Sequence, residues 1–526
     1  MGGRSLADKR TSLTSHRGGS IAGPALAASA AYLLLSALVT AQLRAGCICL
    51  EVFGVDTLFV LDILSRVSAG ETPHLDFVTP IGALPFLAVG RGGGPLPHDF
   101  IVMQAAYTAG VMALGTWLSL SRLGTLGTAV LLGAVAVLGS SLTSSADPGV
   151  TMALYYNRWA WIVALVLVVA VAVPPIRRVY PVTDGICVAL LGLALLLTKI
   201  TFFVAAGPLA LLFLAARGAW RMLLTALIAF LLGIALIAAL LGPSFWWAYL
   251  GDLVWVATNP IRLTPGVSPG AVLLTAEALA LAVFALLVLR FRGIGTALAV
   301  CATGAAALFV QLQNFGAAPL WTIGVAAVAL AWRERATADR AETLAWSGSA
   351  AVFAILSVLQ LSPMVLGTLR NLDTSRSAAV VPMLPEVAWF DGLRVPGFHI
   401  SPIVRSPRSD GQPVPLQPES CLVTDGYVGH LREVAETLAH VPGPVFVVDA
   451  QSPYWMVNGQ PPLPGAAPWN YASLKGLQNA THIAVPTCAY KPSYQRALLR
   501  LLAEENLSLV PVHATEAATL YSFRLP

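Results

Sequence analysis

The chain has 526 residues, of which 57% are hydrophobic and only 11% are charged, with a net charge of +5 and a mean hydropathy of +0.75. Soluble domains carry about 25% charged residues, so this composition excludes a soluble globular protein and indicates a polytopic membrane protein. The basic residues lie in short loops between apolar runs, so nucleic acid is not an expected partner. Six cysteines and the lack of C-x-x-C and H-E-x-x-H motifs exclude a disulfide scaffold and two common metal signatures.

Eleven apolar runs are predicted to be transmembrane helices, each of which needs about 20 residues to cross about 30 Å of hydrocarbon. The first run follows a basic tail, residues 1–20, and its length favours an uncleaved signal anchor over a cleaved signal peptide. A shorter apolar segment, residues 80–89, is expected to be re-entrant or interfacial. The predicted spans are residues 21–43, 100–120, 124–142, 159–175, 183–198, 200–216, 222–241, 270–289, 294–312, 318–332 and 345–363.

The distribution of Lys and Arg predicts the orientation of these spans. One side of the predicted topology carries 14 basic residues, whereas the loops of the opposite side carry six before residue 370. The positive-inside rule therefore places the N-terminus in the cytoplasm. The first loop, residues 44–99, and everything after residue 369 are expected on the outer face. In a bacterium this is the periplasmic face of the inner membrane.

Beyond residue 369 the chain changes character, because charge rises, prolines recur and the apolar runs shorten to strand length. A proline-rich connector, residues 370–418, leads to residues 419–526, which are predicted to form a small Rossmann-like α/β domain with a largely parallel sheet. No G-x-G-x-x-G follows its first strand, so neither nicotinamide nor flavin is expected. The predicted strands are residues 421–425, 445–450, 481–486, 507–512 and 518–523, and the predicted helices are residues 429–440 and 493–505.

Two further features of this outer domain leave alternatives open. The aromatic loop at residues 452–471 is too long for a plain connection. It either folds back over the membrane domain or is a surface loop that buries its own aromatic residues. Cys421 and Cys488 share the domain and could form a disulfide, which the sequence alone does not establish.

Residues 51–86, within the first outer loop, are the most informative segment of the chain. Asp56 and Asp76 form a carboxylate pair near the water–membrane boundary, which suits general-base activation of an acceptor or binding of a divalent cation. Alternatively, Asp56 caps the helix that starts after it. His74 lies in the same loop and is expected to contact the substrate, whereas Asp62 is expected on a solvated face or behind the reacting groups.

Three polar residues at the outer ends of predicted spans are candidate substrate ligands. Arg158 offers a bidentate fork to phosphate and Lys199 a point charge, although both could instead extend to lipid headgroups. Charge within or beside a membrane is expensive and is by default a functional hypothesis. Asn314 ends an apolar run and is expected to line a cavity.

Residues 70–86, GETPHLDFVTPIGALPF, resemble the first outer loop of bacterial GT-C-type glycosyltransferases through a Gly-x-x-Pro-x-x-Asp-Phe…Pro-x-Gly-x-Leu pattern. This resemblance implies an enzyme that takes sugar from a polyprenyl-phosphate donor at the outer membrane face. Asp56 corresponds to the first-loop acid, Asp76 to the Asp-Phe of the loop, and Lys199 to a Thr-Lys pair at a later helix junction. Many members have a second acid beside the first, which is missing here, so the general base is either Asp56 or Asp76.

These observations predict a GT-C-like transmembrane domain, residues 21–369, that transfers a sugar to a glycan, lipid or protein acceptor. Asp56 would be the base or a metal ligand, and a divalent cation is the one cofactor considered. His74 and Asp76 would position the acceptor, while the cations at 158 and 199 would hold the donor phosphate. The alternative is a transporter or flippase for an anionic lipid or glycan, which should carry charges at mid-membrane and paired broken helices.

Overall fold

The computed structural model describes residues 20–51, 55–177, 180–259, 261, 268–314, 318–336, 339–397, 401–404, 421–423 and 426–524, with side chains given for all of these except 55, 401–404, 421–423 and 426–427. This part of the chain is mostly helical. Its α-helices are α1 (Ala22–Ala45), α2 (Val55–Ser68), α3 (Leu84–Gly90), α4 (Leu96–Arg122), α5 (Thr125–Ser140), α6 (Tyr155–Ala172), α7 (Pro181–Thr198), α8 (Ile200–Ala216), α9 (Trp220–Leu241), α10 (Ser244–Thr258), α11 (Pro269–Leu273), α12 (Ala276–Arg292), α13 (Ile294–Gln313), α14 (Thr322–Arg333), α15 (Arg340–Thr374), α16 (Gly426–Leu438), α17 (Trp455–Asn458) and α18 (Pro492–Glu504).

The described strands all lie outside the predicted spans. They are β1 (Ile48–Cys49), β2 (Val380–Pro382), β3 (Leu393–Pro396), β4 (Ser401–Val404), β5 (Cys421–Val423), β6 (Val445–Val447), β7 (His482–Pro486), β8 (Ser508–Ala514) and β9 (Ala518–Arg524). Three short 3₁₀ helices complete the described elements, at Met152–Leu154, Ala388–Phe390 and Leu477–Asn479.

Ten of the eleven predicted spans each coincide with one helix, and the span predicted at residues 270–289 is divided between α11 and α12. Seven helices of the described chain are long and apolar enough to cross a membrane. They are Ala22–Ala45, Leu96–Arg122, Met152–Ala172, Pro181–Thr198, Trp220–Leu241, Ile294–Gln313 and Arg340–Thr374. Helices α5, α8 and α14 are apolar but shorter. The helices therefore indicate a multi-pass membrane protein, while the count of eleven spans, the inner membrane and the orientation remain predictions.

Helix α9 exposes a row of leucines of the kind that contacts lipid. Leu224, Leu232, Leu236 and Leu240 are each at least 60% exposed. Exposed apolar patches of this kind are rare on soluble monomers and mark contact with lipid or another protein. Because residues four apart share a helix face, at least three of these leucines form one stripe along α9.

The connector forms a β-sheet with the start of the first outer loop. Strand β3 runs parallel to β1 and antiparallel to β2, giving a three-stranded sheet. The amide of Asn371, near the end of α15, donates to the carbonyl of Cys49 over 2.7 Å. The start of the first outer loop is thus fixed against the end of the membrane domain.

The prediction of a largely parallel sheet in the outer domain was wrong. The four-stranded sheet has the order β6-β7-β9-β8, and only β6 and β7 are parallel. Strands β8 and β9 follow one another with only residues 515–517 between them, so they form a hairpin that must pair antiparallel. Strand β5 pairs antiparallel with β4 of the connector instead of joining this sheet. In its described residues the domain is therefore mixed α/β, and its four-stranded sheet is not the parallel sheet of a Rossmann fold.

Among the described cysteines, four are free and one is disulfide-bonded. Cys47, Cys49, Cys187 and Cys301 are free. Cys488 is disulfide-bonded. The side chain of Cys421, its suggested partner, lies outside the described residues, so the pairing of these two cysteines remains a hypothesis.

Candidate functional site

Helix α2 positions the first acid of the outer loop. Its apolar face is fully buried, with Leu58, Leu61 and Leu64 each 0% exposed, so the helix is packed into protein. Asp56 occupies its first turn, where the helix dipole favours a negative charge. Asp56 is open to solvent on one side and surrounded by protein on the others. Loss of hydration raises the pKa of the Asp56 carboxyl, and the charge of Lys491 opposes this rise.

A second carboxylate, Glu51, lies beside Asp56 and was not singled out from the sequence. Its oxygens accept hydrogen bonds from the hydroxyls of Thr57 (3.0 Å) and Thr151. Burial raises the pKa of Glu51 to about 7 against the effect of these hydrogen bonds, and the charges of Asp56 and Asp147 add to the rise. Two interacting carboxyls with elevated pKa values are typical of acid–base sites.

Lys199 lies where α7 ends and α8 begins. Its backbone is extended, with φ −156° and ψ 110°, which interrupts the helical run and places the ammonium group at the break. The Nζ atom donates to the side-chain oxygens of Asn157 and Asn314 and lies 5.3 Å from the centre of the Tyr156 ring. We call these four residues the Lys199 cluster. Lys199 and Asn314 were expected to bind substrate, and the structure brings them together.

Tyr156 connects the Lys199 cluster with the acids of the first outer loop. The Tyr156 hydroxyl interacts electrostatically with the Asp56 carboxylate and with the hydroxyl of Tyr471 from the outer domain. Lys199 contacts the ring of the same tyrosine. A cation and a carboxylate are therefore grouped around one aromatic side chain.

An apolar cavity of about 130 Å³ lies among α6, α8, α12, α13 and α14. Trp161, Phe202 and Val310 are among the residues that line it. Trp161 is four residues after Asn157, Phe202 is three after Lys199, and Val310 is four before Asn314. Residues three or four apart share a helix face, so the Lys199 cluster lies at the ends of the same helix faces that form the cavity wall.

Arg158 does not join the cluster, although it is next to Asn157. It is 2% exposed, and its guanidinium donates to the Ser144 hydroxyl over 3.0 Å and the Leu142 carbonyl over 3.2 Å. Consecutive helical residues point about 100° apart, so Asn157 and Arg158 face different neighbours. The described contacts give Arg158 the role of holding the segment after α5.

Asp76 and His74 also lie apart from Asp56 in the described contacts. Asp76 is exposed, and its carboxylate accepts the backbone N–H of Thr72 over 2.7 Å, which closes a turn. His74 is buried with φ +72°, and its Nδ1 is 2.9 Å from the Asp252 carboxylate of α10. Its ring packs 4.5 Å from that of Tyr249. Burial lowers the pKa of His74 although the Asp252 carboxylate opposes this, and the contact with Asp252 fixes α10 against the loop.

The aromatic loop of the outer domain does fold back over the first outer loop, as one of the two alternatives predicted. The indole of Trp455 donates to Asp62 over 3.0 Å, and Asp62 forms a buried 2.8 Å ion pair with Arg66. Arg66 also donates to the carbonyl of Leu463. Asp62 is therefore a buried structural residue and does not lie on a solvated face.

The backbones of the two segments join as well. The N–H of Val78 donates to the carbonyl of Ala466 over 3.1 Å, and the N–H of Gly465 donates to the carbonyl of Asp76 over 2.9 Å. These bonds hold residues 465–466 of the outer domain against residues 76–78 of the first outer loop.

The candidate metal role of Asp56 receives no support from the donor set. Among the residues described, no three His, Cys, Asp or Glu side chains are grouped so that they could hold a metal ion. Asp56 interacts instead with Lys491 and Glu51, which suits proton transfer better than metal ligation.

No protein-family model matches the chain, and no curated protein matches it. Two solved structures are similar over 93% of this chain and 97% of theirs. ArnT from Cupriavidus metallidurans in the apo state is 11% identical with a TM-score of 0.37. The same protein bound to undecaprenyl phosphate is 12% identical with a TM-score of 0.38. ArnT is a GT-C glycosyltransferase.

Proposed function

We propose that this protein is a membrane glycosyltransferase that transfers a sugar from a polyprenyl-phosphate donor to an acceptor at the outer membrane face. The observation that carries the proposal is the Lys199 cluster, whose residues stand three or four positions along the chain from side chains that line an apolar cavity between helices. A cation above an apolar cavity matches an amphiphile with an anionic head and a hydrocarbon tail.

The Lys199 cluster supplies the charge that the leaving group needs. When the bond between the anomeric carbon and the phosphate oxygen breaks, the electron pair stays with the phosphate. The Lys199 ammonium is held by two amide oxygens before the reaction begins. A preorganised cation of this kind stabilises developing negative charge without further rearrangement.

Asp56 is the proposed general base. Its carboxylate is open to solvent, so an acceptor hydroxyl can approach it, and it interacts with the tyrosine that Lys199 contacts. Asp56 takes the proton of that hydroxyl as the oxygen bonds to the anomeric carbon. Glu51, fixed by two threonine hydroxyls, is the neighbouring carboxyl whose pKa the charge of Asp56 helps to raise. Asp76 is assigned to the turn and not to the reaction.

The test is sugar transfer in membranes that contain the purified protein, with a panel of labelled polyprenyl-phosphate sugars. We expect transfer by the wild type, at least a hundredfold loss in Asp56→Asn, and a change of less than threefold in the matched Asp76→Asn variant. Undiminished transfer by Asp56→Asn would contradict the assignment of Asp56 as the general base. Absence of transfer from every donor by folded wild-type protein would move the proposal to a transporter or flippase.

A further inference from the structure

The outer domain covers one face of helix α2, the helix that carries the proposed general base. The ring centres of Phe59 and Trp469 are 5.8 Å apart in an edge-to-face contact, and the indole of Trp455 donates to Asp62 over 3.0 Å. Residues three apart are neighbours on a helix surface, so Phe59 and Asp62 belong to one contact surface. Asp56 is three residues before Phe59 and therefore borders the surface that the outer domain covers.

Lys491 belongs to the outer domain and directly precedes the first residue of α18. Asp449, which is 1% exposed and follows β6, accepts the backbone N–H groups of Tyr490 over 2.6 Å and of Lys491 over 3.2 Å. Strands β6 and β7 are parallel, so the segments that follow them leave the same edge of the sheet. The backbone that carries Lys491 is thereby fixed at this edge.

The ammonium group of Lys491 acts on Asp56 across the boundary between the two domains. Loss of hydration raises the pKa of the Asp56 carboxyl, and the charge of Lys491 opposes this rise. The other titratable groups described around Asp56 are the carboxyl of Glu51, which precedes α2 and also interacts with Asp147, and the hydroxyl of Tyr156 on α6. Neither Glu51 nor Tyr156 is a cation, so Lys491 is the one positive charge among the described partners of Asp56.

The structural contribution of Lys491 is made by its backbone. Its N–H binds Asp449, and its carbonyl accepts the N–H groups of Tyr494 and Gln495 in the first turn of α18. Every residue other than proline provides these two backbone groups, so the start of α18 does not require a positive charge. The half-buried side chain is left to act on Asp56.

A general base must be ionised before it can accept a proton, and a nearby positive charge favours the ionised form of a carboxyl. We propose that Lys491 is a positioning residue of the transfer site, whose ammonium keeps the Asp56 carboxyl ionised for the acceptor hydroxyl. This inference rests on the proposed function, because it takes Asp56 as the general base. It gives the outer domain a share in the reaction, since the docking of that domain on α2 brings the charge to Asp56.

The experiment is the pH dependence of kcat/KM for sugar transfer in proteoliposomes. Lys491→Gln should move the acidic limb of the profile to higher pH, so that its loss of kcat/KM relative to the wild type is at least about threefold larger at about pH 6 than at about pH 8. Lys491→Arg keeps the charge and should stay within about twofold of the wild type at both pH values. Arg500→Gln is the matched control, because it removes a positive charge from an exposed position further along α18, and it should leave the profile unchanged.

A second measurement needs no sugar donor. A carbodiimide reacts with a protonated carboxyl and an added amine traps the product, so peptide mass spectrometry of the labelled protein at about pH 6 reports the protonation of Asp56. We expect Lys491→Gln to label Asp56 at least about twofold faster than the wild type does. Labelling of the exposed Asp76 should be equal in the two proteins.

Parallel pH profiles and equal labelling of Asp56 in an active, folded Lys491→Gln variant would overturn the inference and leave the proposed function standing. A loss of activity that Lys491→Arg shares and that does not change with pH would also overturn it, because the side chain would then act by packing. Absence of transfer by the wild type would overturn the proposed function and this assignment with it. The labelling of Asp56 separates that outcome from a failure of the interaction between Lys491 and Asp56.

Discussion

Replacing Lys199 by glutamine removes the cation of the Lys199 cluster while keeping a polar side chain that can still contact Asn157 and Asn314. If the ammonium neutralises the donor phosphate, the substitution removes one charge-assisted hydrogen bond to substrate and leaves the protein contacts partly satisfied. Hydrogen bonds to charged groups contribute about 1.5–3 kcal/mol. Each 1.4 kcal/mol is about tenfold in an equilibrium or rate ratio, so the expected loss is roughly 10- to 150-fold.

The assay is kcat/KM for the polyprenyl-phosphate sugar in proteoliposomes. Phosphate charge grows as the bond breaks, so kcat should fall together with kcat/KM and the KM should change less. Lys199→Arg keeps the charge and should recover part of the activity. Lys475→Gln is the matched control, because Lys475 is another lysine of the outer region whose described contacts are with Asp252 and Trp255.

A folded Lys199→Gln variant with kcat/KM within twofold of the wild type would refute the reasoning. So would an equal loss in Lys475→Gln, because the effect would then report the overall charge of the outer face and not a phosphate site.

Three further predictions follow from buried groups. The pKa of Glu51 rises from 4.5 in the unfolded chain to about 7 in the folded protein. Between these two pH values the folded protein keeps a proton that the unfolded chain has released. Wild-type stability should fall as pH rises from about 5 to 8, and Glu51→Gln should flatten the Tm–pH curve; parallel curves would contradict this. Asp62→Ala removes the 2.8 Å partner of the buried Arg66, which keeps its 3.2 Å ion pair with Glu71, and should destabilise by about 1.5–3 kcal/mol in denaturant titrations. An effect below about 1 kcal/mol would contradict this. Arg158→Met should lower the Tm but leave the donor KM unchanged, whereas a raised KM at unchanged Tm would return Arg158 to the phosphate site.

The apolar pattern of the sequence was sufficient to find the helices, because a run of apolar residues must be helical to satisfy its backbone in lipid. It was not sufficient for the sheet. Hydrophobic runs give the positions of strands, but their direction depends on connections, and the short β8–β9 turn made that pair antiparallel.

The candidate site was predicted in part, again from the apolar pattern of the sequence. Lys199 and Asn314 stand out as polar residues at the ends of apolar runs, and the structure joins them. Asn157 was overlooked beside the more conspicuous Arg158, since sequence spacing does not tell which of two adjacent helical residues faces a neighbour. Glu51 was overlooked because its raised pKa comes from burial, and because one of the two hydroxyls that hold it belongs to Thr151, which is 100 residues away in the chain.

The central claim is that a sugar leaves a polyprenyl phosphate and becomes covalently bound to an acceptor. The most direct test is mass spectrometry of proteoliposomes that contain wild type or Asp56→Asn, the labelled donor identified in the panel and a membrane extract as acceptor. The account predicts that free polyprenyl phosphate and a sugar-bearing product appear in equal amounts with the wild type, and that neither appears with Asp56→Asn. Movement of intact donor between leaflets without release of polyprenyl phosphate would contradict it.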